Sequence, residues 1–461
     1  MPRTIAQYLA RLSLTAILAF GAIVAMPVLQ LAGPWPETVS ALADDDDDDG
    51  GDDDDGGGSF SGVAGGDDDD DNRQGGDLRS LFPRLFRQVD RAPARRSVSV
   101  PDRSPNEIVA IGLSEQSISN LIQNGFGVDG RTPVALTGGE LVRLTIPQGV
   151  RLDEARQTVL AEAPSASVDF NHFYRPEQQG TSACGERGCA LVRHIVGWPI
   201  QTGACTTPPP IGLIDTAINA NHASLTDARI EVLRLGDETI PQSGEQHGTA
   251  VAALLVGAAG SRAPGLLPAA QLVAVDAFRP YKGRADVANV YDLVRALDLL
   301  AARDIKVVNL SLTGPANLLL EQAVRASIGK GAILIAAAGN DGPNAKPVYP
   351  AAYPDVIAVT AVDRFRKPYR RAVQGDHIDI AAPGVGVWTA ASVSGARKKN
   401  GTSFAAPFVT AAVSVLLGAN PGMGLREVET ELMRSANDMG IPGKDAVYGW
   451  GLLNARTLCQ M

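Results

Sequence analysis

The chain reads as an α/β protein, a doubly wound and mainly parallel sheet with helices on both faces, preceded by a small α+β unit of ferredoxin-like pattern. Three observations predict this. From Pro208 to the end, short apolar runs of strand length alternate with longer helical runs, the pattern of repeated βα units. This stretch, about 250 residues, is ample for one such core. Ahead of it, residues 106 to 175 carry a shorter alternation of their own.

Taken in order, Arg3 and Arg11 precede Leu12 to Pro36, 25 residues without a charge, and Ala41-Leu42-Ala43 offers a small-x-small cleavage site before Asp44. Residues 1–43 are therefore expected to be an export signal. An uncharged run beyond about 18 residues can also span a bilayer, so the alternative is an anchor at residues 12–34. Pro27 and the Gly33-Pro34 pair interrupt that run and favour cleavage. Either outcome places the rest of the chain outside the cytoplasm, periplasmic or extracellular, and a membrane partner is expected only if the segment is retained.

Residues 44–77 contain 16 Asp and one Arg, a charge of −15; since the whole chain is −10, the rest carries +5. The acidity is thus confined to one segment, and no nucleic-acid partner is expected. Few apolar groups and repelling charge predict a disordered linker. The Asp runs lack the spaced ligands and turn glycine of an EF-hand loop. Residues 78–105 are Arg-rich and read as a further linker.

In the small unit, Asn106 to Leu113 reads as a strand, Ser114 to Gly125 as a helix, Glu140 to Ile146 as an alternating strand, Leu152 to Glu162 as a helix and Ala166 to Tyr174 as a strand. A Cys-containing connection, 176–205, leads to the large domain at 206–461. There the strands are Ile211 to Ile214, Gln271 to Val275, Val307 to Leu310, Ala332 to Ala336 and Val356 to Ala361. The helices are His247 to Val256, Val287 to Ala302, Leu318 to Ile328, a run from Ser403 to about Leu417, and Leu425 to Ser435. No internal repeat is present.

The chemistry concentrates at element ends. Gly401-Thr402-Ser403-Phe404-Ala405-Ala406-Pro407 puts a serine between small residues at a helix start, where unpaired N–H groups can meet a developing oxyanion. Ile211 to Ile214 runs straight into Asp215, and His247 opens an apolar helix. A serine hydroxyl needs a base to take its proton, and the base needs a carboxylate to fix its tautomer. His172, His194, His222 and His377 lack such a motif and read as structural or surface groups. Neither His-Glu-x-x-His nor paired Cys-x-x-Cys occurs, so a metallopeptidase has no support.

The order Asp215, His247, Ser403, with separations of 32 and 156 residues, resembles the subtilisin-like serine peptidase family; other triad folds run in other orders. The resemblance implies that Asp215, His247 and Ser403 are catalytic. It also implies that Asn340, in Ala336-Ala337-Ala338-Gly339-Asn340-Asp341-Gly342, joins the Ser403 N–H in an oxyanion hole. Ser311, Leu312, Thr313 and Gly339 match substrate-binding positions. Many relatives carry glycine where Thr313 stands, which implies a narrower pocket entrance, and Ala217 replaces another frequent glycine.

By the same resemblance, residues 106–175 are expected to be an inhibitory propeptide, cleaved autocatalytically between Tyr174 and Cys205. The substrates implied are proteins or peptides, with the propeptide as an intramolecular inhibitor. No cofactor is implied for the chemistry, and calcium is expected only as a structural ion whose ligands are not assigned. Four cysteines in an exported chain, Cys184, Cys189, Cys205 and Cys459, favour two disulfides, with three pairings open. The expected function is a secreted serine endopeptidase made as a zymogen. The alternatives are a membrane-anchored maturation protease with one dedicated substrate, or a catalytically silent binding protein on the same fold.

Overall fold

The computed structural model describes residues 100–176, 193–198, 207–236, 240–283, 285–456 and 458. The segment expected to be an export signal, the two expected linkers as far as residue 99 and all four cysteines lie outside the described residues.

The small unit contains β1 (Arg103–Ile111), α1 (Glu115–Gln123), β2 (Gly127–Val134), β3 (Gly139–Thr145), α2 (Leu152–Glu162) and β4 (Ser167–Pro176). Its sheet is antiparallel in the order β2-β3-β1-β4. Ile108, Ala110, Val142, Leu144 and Val168 on one face of the sheet form a buried core with Leu121 of α1 and Val159 of α2. Ser114 starts α1 by accepting a hydrogen bond from Ser117 N, 3.0 Å, which satisfies one orphan donor of the first turn. The sequence reading lacks β2. That strand is a half-exposed edge carrying two glycines, a proline and a bulge between Val128 and Gly130, so it shows no apolar alternation.

The large domain runs β5 (Ile211–Asp215), β6 (Arg229–Arg234), α3 (Gln246–Val256), β7 (Gln271–Asp276), β8 (Phe278–Tyr281), β9 (Ala285–Asn289), α4 (Val290–Ala302), β10 (Val307–Leu310), β11 (Leu312–Thr313) and α5 (Leu318–Gly329). It continues with β12 (Ile333–Ala337), β13 (Ile357–Val362), β14 (Ile380–Pro383), β15 (Val387–Ala390), β16 (Ala396–Lys399), α6 (Thr402–Ala419) and α7 (Leu425–Ser435). Seven strands form a parallel sheet in the order β14-β13-β12-β10-β5-β7-β6. Alternate residues face opposite ways. Ile211, Leu213, Leu272, Ile333 and Ile335 join the core of α3 and α6, whereas Ile214, Val273, Val308, Leu310 and Leu334 join that of α4 and α5. Helices therefore cover both faces.

The helix expected from Val287 begins at Val290 instead. Val287 to Asn289 end β9, and Asn289 caps α4 by accepting from Asp292 N at 2.9 Å. The α6 helix is apolar and long enough to cross a membrane by composition, but it is mostly buried at the centre of the fold. The small unit lies on the α4 and α5 side, where Val109, Ile111 and Tyr174 enter the same apolar cluster.

Candidate active site

Asp215 is the last residue of β5 and His247 the second of α3. Their approach is set by Gly248, where an added Cβ would lie 2.3 Å from Thr216 O and 2.7 Å from Ala217 O. Only glycine lets the start of α3 rest on the backbone that leaves β5. Gly248 N also donates to Thr216 Oγ1 at 2.9 Å, pinning helix to strand end. The result is a buried 2.7 Å contact between His247 Nδ1 and Asp215 Oδ1. That oxygen also accepts from Thr216 N at 2.7 Å. A proton on Nδ1 leaves Nε2 as the basic nitrogen, and Nε2 is buried with no partner among the described residues.

Ser403 is the second residue of α6 and is fully buried by the residues around it. Gly401 precedes the helix with φ 141°, a conformation that favours glycine. Pro407 has no N–H to donate back to Ser403 O; that carbonyl instead accepts from Ser311 Oγ at 2.9 Å. Ser403 Oγ in turn donates to Ser311 O at 3.3 Å. The His247 and Phe404 rings, 5.6 Å apart between centroids, place the imidazole beside the start of α6.

Asn340 follows β12 through Ala338 and Gly339. Its Oδ1 accepts from Thr402 N at 3.0 Å and Thr402 Oγ1 at 3.2 Å, so Nδ2 points the other way, buried and unpartnered among the described residues. Gly339, at φ 101°, donates its N–H to Thr402 Oγ1 at 3.1 Å. The site thus presents an unpaired basic nitrogen and an unpaired amide donor near one serine.

Leu312 and Thr313 form β11, and the position they pair with is already filled by the chain itself. Leu312 is opposite Pro176 and Thr313 opposite Arg175, while on the other side Phe173 and Tyr174 of β4 pair with Asn289 and Ala288 of β9. The slot between β9 and β11 therefore takes an antiparallel strand. Thr313 Cγ2 lies 3.8 Å from where a Gly339 Cβ would stand, so these two residues face each other.

Several supporting groups escaped the sequence reading. Thr402 was given no role there, and β9 was absent. Asn309 Nδ2 donates to Ser311 Oγ at 2.8 Å, and Thr410 Oγ1 to Asn309 Oδ1 at 2.9 Å, a buried chain behind Ser403. Ser243 Oγ accepts from Ala217 N at 2.8 Å and donates to Asp276 Oδ1 at 2.9 Å, and Asp276 is the register partner of Asp215. Burial raises the Asp276 carboxyl to about 6, against the opposing effect of the Ser243 hydrogen bond. None of these has a local motif; each is found by following hydrogen bonds across elements. His222 is a buried structural group whose Nδ1 accepts from Ser224 N at 3.1 Å. Among the described residues no cluster of three or more His, Cys, Asp or Glu could hold a metal ion.

Residues 209–451 match the model of the Subtilase family. The chain is 31% identical to Subtilisin DY of Bacillus licheniformis over 257 residues, 54% of this chain and 90% of that protein. It is also 31% identical to Subtilisin Savinase of Lederbergia lenta over 252 residues, 53% of this chain and 88% of that protein. Among solved structures, fervidolysin from Fervidobacterium pennivorans, described as a keratinolytic enzyme related to subtilisin, superposes with a TM-score of 0.66 at 18% identity. The match covers 79% of this chain and 62% of that one, a likeness of fold. With over half of its length matched by the family model and most of two subtilisins aligned to it, the chain belongs to the subtilase family, whose members are serine endopeptidases.

Proposed function

We propose that the chain is an exported, self-processing zymogen in which Ser403 is the nucleophile, His247 the general base and Asp215 the residue that orients and stabilises His247. The observation that carries the catalytic part is the 2.7 Å Asp215–His247 contact together with the unpartnered Nε2. Rotation of Ser403 about χ1 takes Oγ from Ser311 O toward Nε2. Ser403 Oγ then attacks the substrate carbonyl as its proton passes to Nε2. The negative oxygen that forms meets Asn340 Nδ2 and the Ser403 N–H of the first helical turn. Collapse expels the amine, which takes the proton from Nε2, and leaves an acyl-enzyme. A water that gives its proton to His247 then hydrolyses the ester.

The zymogen part rests on the end of β4 lying in the slot between β9 and β11. On this reading residues 106–175 are the inhibitory propeptide, and the cut falls soon after Pro176. Export rests on the N-terminal sequence, with support from a relative named Minor extracellular protease Epr in Bacillus subtilis, 33% identical over 211 residues.

The test expresses residues 44–461, as wild type and as Ser403→Ala, in an oxidising compartment and follows intact mass with and without a serine-directed fluorophosphonate. Wild type should lose the segment ending just beyond Pro176 and take one label on Ser403, and the variant should do neither. A folded wild type that stays full length and unlabelled would sink the proposal.

A further inference from the structure

The loop that leaves β13 concentrates positive charge. From Arg364 to Arg371 the chain carries five cations in eight residues. Arg364, Arg366, Lys367 and Arg370 are exposed and Arg371 is half-buried. The tip is a closed turn. Val362 bridges to Pro368, Asp363 N donates to Lys367 O and Arg366 N to Asp363 O, both at 2.9 Å, and Arg366 sits at φ 64°. Asp363, the acid at its base, faces inward, its Oδ1 accepting from Phe365 N at 2.8 Å and Lys367 N at 2.9 Å, an Asx turn. The Arg364 guanidinium lies 4.7 Å from the centre of the Phe365 ring, which is 65% exposed. Among the described residues none of the five cations forms an ion pair. A rigid turn thus holds unpaired charge in solvent.

We propose that this turn is the docking site of the chain's own Asp-rich segment, residues 44–77. Charge complementarity selects that occupant, because the segment carries −15 while the rest of the chain carries +5. Its attachment point lies close by. Val100, the first described residue, accepts from Arg175 Nη2 at 2.6 Å, and Arg175 stands opposite Thr313. Thr313 Cγ2 is 3.8 Å from where a Gly339 Cβ would stand, and the next residue, Asn340, accepts from Arg371 Nε through its carbonyl at 3.2 Å. The 22 residues from 78 to 99 reach up to about 70 Å when extended, far more than this route requires. A tether of this kind holds the segment at a local concentration on the order of millimolar, so several weak ion pairs suffice. Docking does not depend on the protease reading; if that reading holds, the cut after Pro176 removes the segment with the small unit and bares the turn.

The experiment uses residues 44–461 with Ser403→Ala, which keeps the chain whole, and a water-soluble carbodiimide that joins carboxylates to lysine amines. Peptide mass mapping should find the Asp-rich segment joined to Lys367 at least about threefold more often than to the exposed Lys282 and Lys330. In about 0.5 M salt that preference should vanish, since exposed charges are then screened within a few ångströms. Arg364→Gln, Arg366→Gln and Arg370→Gln together leave Lys367 in place and should lower its cross-link at least threefold, each exposed pair contributing a factor of about 1.5 to 5. The salt comparison needs no variant, so it stands even if the substitutions disturb the turn. Links spread evenly over the lysines, or a Lys367 yield untouched by salt, overturn the proposal. Links that appear only at dimer mass and rise with protein concentration overturn it in favour of a second copy as the occupant.

Discussion

At the scale of single residues, Asp276 carries a charge problem that the site has to accommodate. It is buried next to Asp215 in the sheet register, and its carboxyl is held at about 6 rather than 3.8, chiefly by burial. The folded state thus binds this proton more tightly than the unfolded chain does. The resulting stabilisation is full below about pH 3.8, falls as pH rises through about 6, and is absent above that. At about 1.4 kcal/mol per pK unit, the difference is on the order of 2–3 kcal/mol. Asp276→Asn retains an acceptor for Ser243 and Phe278 N but cannot ionise. In a Ser403→Ala background, which prevents self-digestion, urea unfolding should show the wild-type aspartate losing on the order of 2 kcal/mol relative to the asparagine variant between pH 4 and pH 7.5. A difference that stays constant across that range would show that Asp276 does not titrate as its burial implies.

At the scale of elements, the site depends on how closely α3 rests on the end of β5. Gly248→Ala forces a Cβ to within 2.3 Å of Thr216 O, a backbone atom that cannot swing aside, so the helix must move and carry His247 with it. A loss of about 1–3 kcal/mol in stability is expected, as for an overpacked core. At least a tenfold fall in acylation rate should accompany it, measured by single-turnover kinetics with an ester, because the 2.7 Å contact to Asp215 is stretched. An unchanged acylation rate would mean that the contact tolerates the shift. Much of this arrangement was legible in the sequence. Asp215, His247, Asn340 and Ser403 each stand at the end of an apolar run, and in the structure these ends converge. The α/β alternation was legible for the same reason, since central strands such as β5, β10 and β12 are buried throughout and apolar but for Asp215 and Asn309. Elements at the margins were not. The edge strand β6 reads Arg-Ile-Glu-Val-Leu-Arg and is half exposed, and β14 is four residues ending in proline. The Ser243–Asp276 and Asn309–Ser311–Thr410 links join positions far apart in the chain, so no local pattern announces them.

At the scale of the whole molecule, a self-processing enzyme needs an N-terminal unit that fits its cleft and yet can leave. The contacts between the two parts combine a shared apolar patch, where Val109, Ile111 and Tyr174 enter the cluster of α4 and α5, with single polar bonds to those helices that water can replace. Thr132 Oγ1 meets Tyr291 OH at 2.6 Å, Leu136 N donates to Asp298 Oδ1 at 2.8 Å, and Gln322 Nε2 donates to Ser167 Oγ at 2.7 Å. The first turn of α5 is the most telling. Asn317 Oδ1 accepts from Leu319 N and Leu320 N, and the remaining donor, Leu318 N, is satisfied by Asp169 Oδ2 of the small unit at 2.9 Å. A carboxylate at a helix N-terminus is favoured by the peptide dipoles as well as by the hydrogen bond. Water can replace it once the unit departs, so the contact supports docking without making departure prohibitive. Removing the carboxylate with Asp169→Ala should weaken docking by about 1–2 kcal/mol, equivalent to about a five- to thirtyfold faster release of the cleaved segment. The measurement compares two clocks in one reaction, loss of the segment's mass from the intact chain and appearance of peptidase activity on an added peptide. In the variant the first clock should keep its rate while the lag before the second shortens by that factor. If the lag is unchanged while cleavage proceeds normally, Asp169 does not hold the cleaved unit on the enzyme, and release is governed instead by the strand seated between β9 and β11.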